Sequence, residues 1–342
     1  MLWLTSMNIL LATHHLERTG GTEAFTYAMA TSLRRQGYDV EYYCFKRGGV
    51  SDRIESMGIP FMSRKRYDLV LLNHKPIADN LCGKGVLLQT CHGVIPEIEQ
   101  PSRYADIWVS VSEEVKAHVE SLGFPTTTIW NGIDCERFKP VNALHDRLTT
   151  VLSLCQSERA HAMVKSCCER LNVEFLRADK LMDDVWEIEE MMNKADLVVG
   201  IGRSLYDAMA CGRAVVSFDM RDYNGQTSGY GYLSSDNVNE AMVDNCVNRH
   251  TRTPLDAESL EREISKYKKE DGEFFRQFAL RNLNVDVQLR RYIQLYEEYL
   301  AQEKDTPSLA KLKRGLQKKL HQLYEWQKYF FRGKSRQRFT AR

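Results

Sequence analysis

The sequence predicts an α/β protein: two doubly wound parallel units of unequal size facing a cleft, followed by a basic amphipathic tail. Three observations carry this. The 342 residues, 43% of them hydrophobic, exceed the length at which one core usually stops growing and can fill two. Short apolar runs alternate with helical patterns through the main body, as in βαβ units. The alternation is interrupted by a polar, turn-rich passage that comes after "NGIDCERFKP" (131–140) and runs to about residue 148, beyond which it restarts.

In the first unit, 1–140, the predicted strands are "NILLA" (8–12), "DVEYYCF" (39–45), "DLVLLN" (68–73), "VLLQT" (86–90), "IWVSVS" (107–112) and "TTIW" (127–130). Residues 22–36 read as a helix with Phe25, Met29 and Leu33 on one stripe. The second unit, 141–285, restarts with "TTVLSLC", "NVEFL", "ADLVVGIG" and "AVVSFD", and 254–302 turns helical. Ligands of open α/β sheets sit at the carboxyl ends of strands, so the cleft between the units is where the chemistry is expected.

Composition narrows the class. A net charge of +1 lacks the basic excess of a nucleic-acid binder, and nucleic acid is not an expected partner. Nine cysteines without a C-x-x-C pair form neither a disulfide framework nor a zinc pattern, and read as reduced, buried thiols of a cytosolic protein. The opening "MLWLTSMNILLAT" is too short for a membrane span and lacks a basic flank, so no signal peptide is expected; Met7 is an alternative start. The tail, 306–342, differs from the rest. From Ser308 it carries eleven Lys or Arg against the single acid Glu325, leaving about −9 on residues 1–307. Leu309, Leu312, Leu316, Leu320, Leu323 and Phe330 follow a helical period, which suits an anionic membrane surface or, alternatively, a partner protein.

Four clusters fall at strand ends. In "ERTGGTEAF", Gly20 and Gly21 would bring backbone N–H groups to an anion at a helix start, or simply make a tight turn. In "TCHGV", His92 suits a reacting hydroxyl near neutral pH, or a structural role. "VSVSEEV" leads toward "WNGIDCERFKP", where Asn131 and Gly132 make a turn and Asp134 caps the residues after it; ligand contact and an interdomain turn are equally good readings. In "GIGRSLYDAMACG", Gly200 and Gly202 permit a sharp turn. The helix start at Ser204 and the guanidinium of Arg203 favour a diphosphate, and Asp207, one turn on, suits sugar or ribose hydroxyls.

Taken in order, "GGTEAFTYAMATSLRRQGYDV", "CHG", "VSEEV", "NGIDCERFKP", "KADLVVGIGRSLYDAMACGRAVV" and "NVDVQLRRYIQLYEEYL" resemble the GT-B fold glycosyltransferases of family 4, over roughly residues 7–302. The resemblance implies two Rossmann-like domains and sugar transfer from a nucleotide sugar, with retention of configuration and without an obligatory metal or cofactor. It places Gly20 and Gly21 at the donor phosphates, His92 beside the transferred sugar, Asp207 on the ribose, and a last helix (286–305) crossing back to the first domain. Catalysis is expected from His92 and Arg203, and donor binding from Gly20, Gly21, Asn131, Gly200, Gly202, Arg203, Ser204 and Asp207.

There are departures. Val199 stands where the family usually has a glutamate, Asp207 is the shorter carboxylate, and the usual phosphate grip is replaced by "LCQSERAHAMVK", leaving Arg159 and Lys165 as candidate phosphate contacts. The second domain also reads as one strand-helix unit short. The expected acceptor is a glycan or lipid-linked glycan of bacterial surface polysaccharide (lipopolysaccharide, O-antigen or capsule), met on the cytoplasmic face of the membrane with the tail 308–342 on its anionic surface. The alternatives are a non-catalytic GT-B subunit that scaffolds a partner enzyme and, behind it, a nucleotide-sugar epimerase.

Overall fold

Six short apolar segments pair in parallel to make the first sheet: β1 (Asn8–His15), β2 (Asp39–Lys46), β3 (Leu69–Leu72), β4 (Val86–Cys91), β5 (Ile107–Ser110) and β6 (Thr126–Thr128), in the order β2-β1-β3-β4-β5-β6. The computed structural model describes residues 7–178, 186–221, 227–249 and 254–305, with Leu316, Leu320 and Leu323 beyond them. All four residues of β3 are buried, as an unbroken apolar run in a strand covered on both faces requires. Helices α1 (Gly21–Arg35), α2 (Gly49–Ser56), α3 (Lys75–Leu81) and α4 (Glu113–Ser121) connect the strands. Phe25, Met29 and Leu33 of α1 lie on one buried face in the first core. Ser112 caps α4, its hydroxyl accepting from the Val115 N–H at 3.2 Å.

The second sheet has the order β11-β10-β9-β7-β8. Its elements are β7 (Thr150–Ser153), α5 (Glu158–Leu171), β8 (Glu174–Arg177), α6 (Ile188–Lys194), β9 (Leu197–Gly200), α7 (Arg203–Ala210), β10 (Ala214–Asp219), β11 (Ser228–Tyr232), α8 (Val238–Ala241), α9 (Ala257–Ile264), α10 (Glu270–Asn282) and α11 (Val285–Asp305). The architecture is the predicted one, two parallel-dominated sheets wrapped by helices. The antiparallel edge strand β11 was not foreseen, because the glycines of "SGYGY" interrupt its apolar pattern. Arg213, 2% exposed, ties this half together by donating to the carbonyls of Cys211, Ala195 and Asn142 at 2.9, 3.2 and 2.7 Å.

The chain passes between the sheets twice, and the two passages are paired. Ile133 N–H donates to Leu283 O at 2.7 Å and Val285 N–H to Ile133 O at 2.9 Å. Gly132 is needed here, since a Cβ on it would lie 2.9 Å from Val285 Cα. After the return passage, α11 sends Val285, Leu289, Tyr292, Ile293 and Tyr296 into the core of the first sheet. Tyr292 Oη meets Thr90 Oγ1 at 3.1 Å, and Asp286 accepts from Ser32 Oγ at 2.6 Å and Arg35 Nη2 at 2.7 Å. Arg35 also reaches Asp134 at 3.3 Å, so one guanidinium holds both passages to α1.

Most of the predicted basic tail lies outside the described residues. Leu316, Leu320 and Leu323 are helical and exposed at 52%, 62% and 62%. Among the described residues no helix is long and apolar enough to cross a membrane.

Candidate active site

The carboxyl ends of the two sheets border a narrow crevice. It is lined by Thr19, Gly20 and Tyr27 from the first half, Asp134 and Arg137 from the passage, and Arg203 and Asp207 from α7, and it leaves about 30 Å³ of open space. A wider cavity of about 320 Å³ adjoins it, bordered by Thr19, Asp52, Arg53 and Trp186. Trp186 stands at the margin of both. Its indole lies between the guanidinium groups of Arg53 and Arg137, at 4.3 and 4.5 Å, with Tyr27 edge-on at 4.7 Å.

On the second sheet, β9 ends at Gly200 and the chain turns through Gly202, whose φ of +53° favours glycine, into α7. The predicted cradle of free N–H groups is largely spoken for: Gly202 N–H donates to Asn245 O at 2.9 Å and Ser204 N–H to Ile201 O at 3.2 Å. The segment that supplies Asn245 is itself firmly built. Ser217 Oγ donates to Cys246 O at 2.6 Å, Asn248 Nδ2 to Gly229 O at 2.8 Å, and Tyr206 Oη to Asn245 Oδ1 at 3.1 Å. Asn245, Cys246 and Asn248 all hold positive φ, which lets the segment curl over the start of α7. The asparagines of "DNCVN" are its one visible signal in the sequence.

Arg203 and Asp207, one turn apart on α7, face the crevice with side chains only 8% and 3% exposed. Arg203 Nη1 donates to Gly132 O at 2.9 Å, and Nη2 lies 3.6 Å from Asp207 Oδ1. Burial pulls the arginine's pKa down, and Asp207 opposes it. Arg203 Nε and Asp207 Oδ1 are nonetheless buried without a hydrogen-bond partner. Neither candidate phosphate contact on α5 lines the crevice: Arg159 is exposed in its first turn, and Lys165 is exposed further along and lies 3.9 Å from Glu169.

On the first sheet, Gly20 and Gly21 open α1, but Glu23 of the first helical turn folds back so that its Oε2 lies where a side chain on Gly20 would begin. The helix start predicted to take donor phosphate is thus already faced by the chain's own carboxylate. Glu23 Oε1 meets His15 Nε2 at 3.0 Å, and burial raises the Glu23 pKa. Burial and the neighbouring Glu23 also raise that of Glu99.

His92, half-buried after β4, meets Asn73 Oδ1 through Nε2 at 3.1 Å and packs edge-on against Phe25 at 5.0 Å. Burial, then His74 and Arg203, push its pKa down to about 3, against a side-chain hydrogen bond with Asn131. Such a ring stays neutral and is a poor proton acceptor, which weakens the expectation that His92 serves as a base. His74, 3% exposed, is likewise pushed down to about 3 by burial, then by His14 and His15. Sequence reasoning passed over this histidine, although "THH" and "NHK" both sit at strand ends.

These shifts fix a sign. A buried histidine whose pKa falls from an ordinary 6.5 to about 3 resists protonation in the folded state, so stability declines as pH drops below about 6.5 and continues to fall toward 3. His74 alone is expected to remove up to about 2 kcal/mol between pH 7 and pH 5. Thermal unfolding at the two pH values measures this: His74→Asn should shrink the difference, and an unchanged difference would show that His74 is not held neutral.

No family model matches the chain, and no curated protein matches it. Solved structures do. The Anabaena protein HepE, in complex with UDP and glucose, aligns with a TM-score of 0.59 at 14% identity, over 85% of this chain and 100% of that one. An alpha-glucosyltransferase in complex with UDP and a 13-mer DNA containing an HMU base aligns with a TM-score of 0.55 at 12% identity, over 85% and 100%. An alpha-glucosyltransferase with UDP-glucose and DNA containing an abasic site gives 0.52 at 11% identity, over 86% and 100%. At these identities the likeness is one of fold: the chain has the two-domain GT-B fold of these glycosyltransferase structures.

Proposed function

We propose that this chain is a glycosyltransferase of the family 4 type, which moves a sugar from a nucleotide-sugar co-substrate to a glycan or lipid-linked glycan with retention of configuration. The observation that carries the proposal is the Arg203–Asp207 pair. Buried polar groups are almost always satisfied, and leaving one without a partner costs about 1–3 kcal/mol. Here a cationic donor and an anionic acceptor, Arg203 Nε and Asp207 Oδ1, are both buried without a hydrogen bond beside one crevice, the pair held only by the 3.6 Å approach of Arg203 Nη2 to Asp207 Oδ1. A phosphate for the first and a ribose hydroxyl for the second would satisfy both. The UDP held by HepE and by the alpha-glucosyltransferase supports a nucleoside diphosphate as that ligand.

In this reaction the bond from the sugar C1 to the phosphate oxygen breaks and its electron pair stays on the phosphate. The acceptor oxygen bonds to C1, and its proton passes to the leaving phosphate. The charge that develops on that phosphate falls to Arg203 rather than to a metal; a preorganised donor of this kind contributes roughly 3–4 kcal/mol. The low pKa of His92 fits a mechanism in which the phosphate, not a histidine, takes the proton.

One reading competes. The Asn245 carbonyl on Gly202 N–H and the small open volume also suit a non-catalytic subunit that binds a nucleotide sugar or glycan and organises a partner enzyme. Thermal unfolding with UDP-, GDP- and dTDP-sugars separates the cases. One donor should raise Tm, with stabilisation of about 2.7 kcal/mol at a hundredfold excess over Kd, and release nucleoside diphosphate on incubation. Asp207→Ala should abolish the shift. A shift without release supports the subunit reading, and no shift with any donor contradicts the transferase and leaves only a subunit that binds a glycan.

The tail gives the proposal its place in the cell. Leu316, Leu320 and Leu323, spaced i, i+4 and i+7, are exposed, and the sequence around them, from Ser308 on, carries eleven basic residues. Such a surface suits the anionic inner face of a bacterial membrane, each basic residue near it adding about 1 kcal/mol, and membrane-linked surface polysaccharide is the corresponding acceptor class. In flotation assays the full chain should rise with anionic vesicles and not with neutral ones, and a chain ending at Asp305 should not rise. Equal behaviour of both chains would remove the membrane from the proposal.

A further inference from the structure

Arg203 has a second cation beside it at the crevice. Of the described residues that line this space, Arg137 and Arg203 are the two that carry positive charge. Arg137 sits in the turn that opens with Asp134, where the Arg137 and Phe138 N–H groups both donate to Asp134 O, at 3.1 and 2.8 Å. That turn belongs to the first passage between the sheets, so Arg137 reaches the crevice from the junction of the two halves rather than from a sheet.

The guanidinium is held along one edge. Nε and Nη2 donate to the two oxygens of Glu189 at 2.9 and 2.8 Å, and Nη2 also donates to Trp186 O. A two-pronged bond of this kind fixes the plane of the group as well as its position. The rings of Phe138 and Trp186 pack on it, with their centroids 5.1 and 4.5 Å from Cζ. Nη1 has no acceptor among the described residues, and the side chain keeps 19% of its surface exposed. The clamp therefore leaves two N–H groups to donate, on a cation already locked in place.

The charge around Arg137 indicates what they meet. Arg137 lies close enough to Arg203 to add to the lowering of its pKa, behind burial. Two guanidinium groups beside one narrow crevice repel each other, and a multiply charged anion in contact with both offsets that repulsion. A diphosphate is such an anion. Arg159 and Lys165 of α5, which do not line the crevice, leave this role open.

We propose that Arg137 is a second diphosphate-binding residue: its Nη1 donates to a phosphate oxygen while Glu189 and the Trp186 carbonyl keep the guanidinium in place. The proposal rests on the transferase reading, in which the crevice holds a nucleoside diphosphate, and adds the residue that shares the phosphate charge with Arg203.

The test compares the full chain with Arg137→Ala. UDP, GDP and dTDP are titrated by calorimetry, the matching nucleosides by ligand-observed NMR, and thermal unfolding without ligand checks the fold. For the diphosphate that the unaltered chain binds, Arg137→Ala should weaken affinity roughly 10- to 100-fold, the range of a hydrogen bond to a charged group, and leave the nucleoside unaffected. Arg137→Lys keeps a charge without the fork and should show a smaller loss of the same kind, which preserves the comparison if the alanine chain does not fold. Unchanged diphosphate affinity in a folded variant, or an equal loss for nucleoside and diphosphate, would overturn the proposal and leave Arg137 a purely structural clamp. Failure of the unaltered chain to bind any of the three diphosphates would instead remove the transferase reading, and this proposal with it, so the two failures are told apart by the unaltered chain alone.

Discussion

Two stretches of backbone connect the halves of this protein, and they are hydrogen-bonded to each other at Ile133, Leu283 and Val285. The pairing is close enough to exclude a side chain at position 132, and the carbonyl of Gly132 is held by Arg203 from the first turn of α7. The helix that borders the crevice is therefore bonded directly to the passage between the sheets. Arg35, bonded to Asp134 on one passage and Asp286 on the other, secures the same junction from the first half. A ligand that draws Arg203 away from Gly132 acts on that junction, which links binding to the relative placement of the halves.

Both helix starts at the crevice satisfy much of their own electrostatics. α1 turns Glu23 back toward its first residues, and α7 receives the Asn245 carbonyl. Backbone N–H groups at a helix start attract anions generally, but here their capacity is partly consumed inside the chain. That shifts the weight of anion recognition to side chains. Arg203 and Asp207 keep unpartnered atoms where the backbone does not, which is why the functional reading rests on them.

The fold was legible because it depends on local pattern. Apolar runs such as "LVLL" and "AVVSFD" appear as buried strands, and the stripe of Phe25, Met29 and Leu33 packs as read. β11 escaped because its glycines carry no apolar signal, and its pairing with β10 is set by tertiary contact. The site was legible only in part. Arg203 and Asp207 fall on one helical face and meet at the crevice by spacing alone, but the carbonyl that occupies Gly202 comes from over forty residues away in sequence. Lys165 was an inference from type and proximity in sequence, and α5 directs it to solvent. His74 acquires its character from burial and from His14 and His15, and Glu23 chiefly from burial, which no short motif encodes.

A crystal structure of the protein with UDP tests the central claim most directly. The account expects the diphosphate within hydrogen-bond distance of Arg203, about 2.7–3.2 Å, a ribose hydroxyl on Asp207, and a crevice wider than about 30 Å³. UDP bound elsewhere, with Arg203 still on Gly132 and Asp207 still unpartnered, would contradict it.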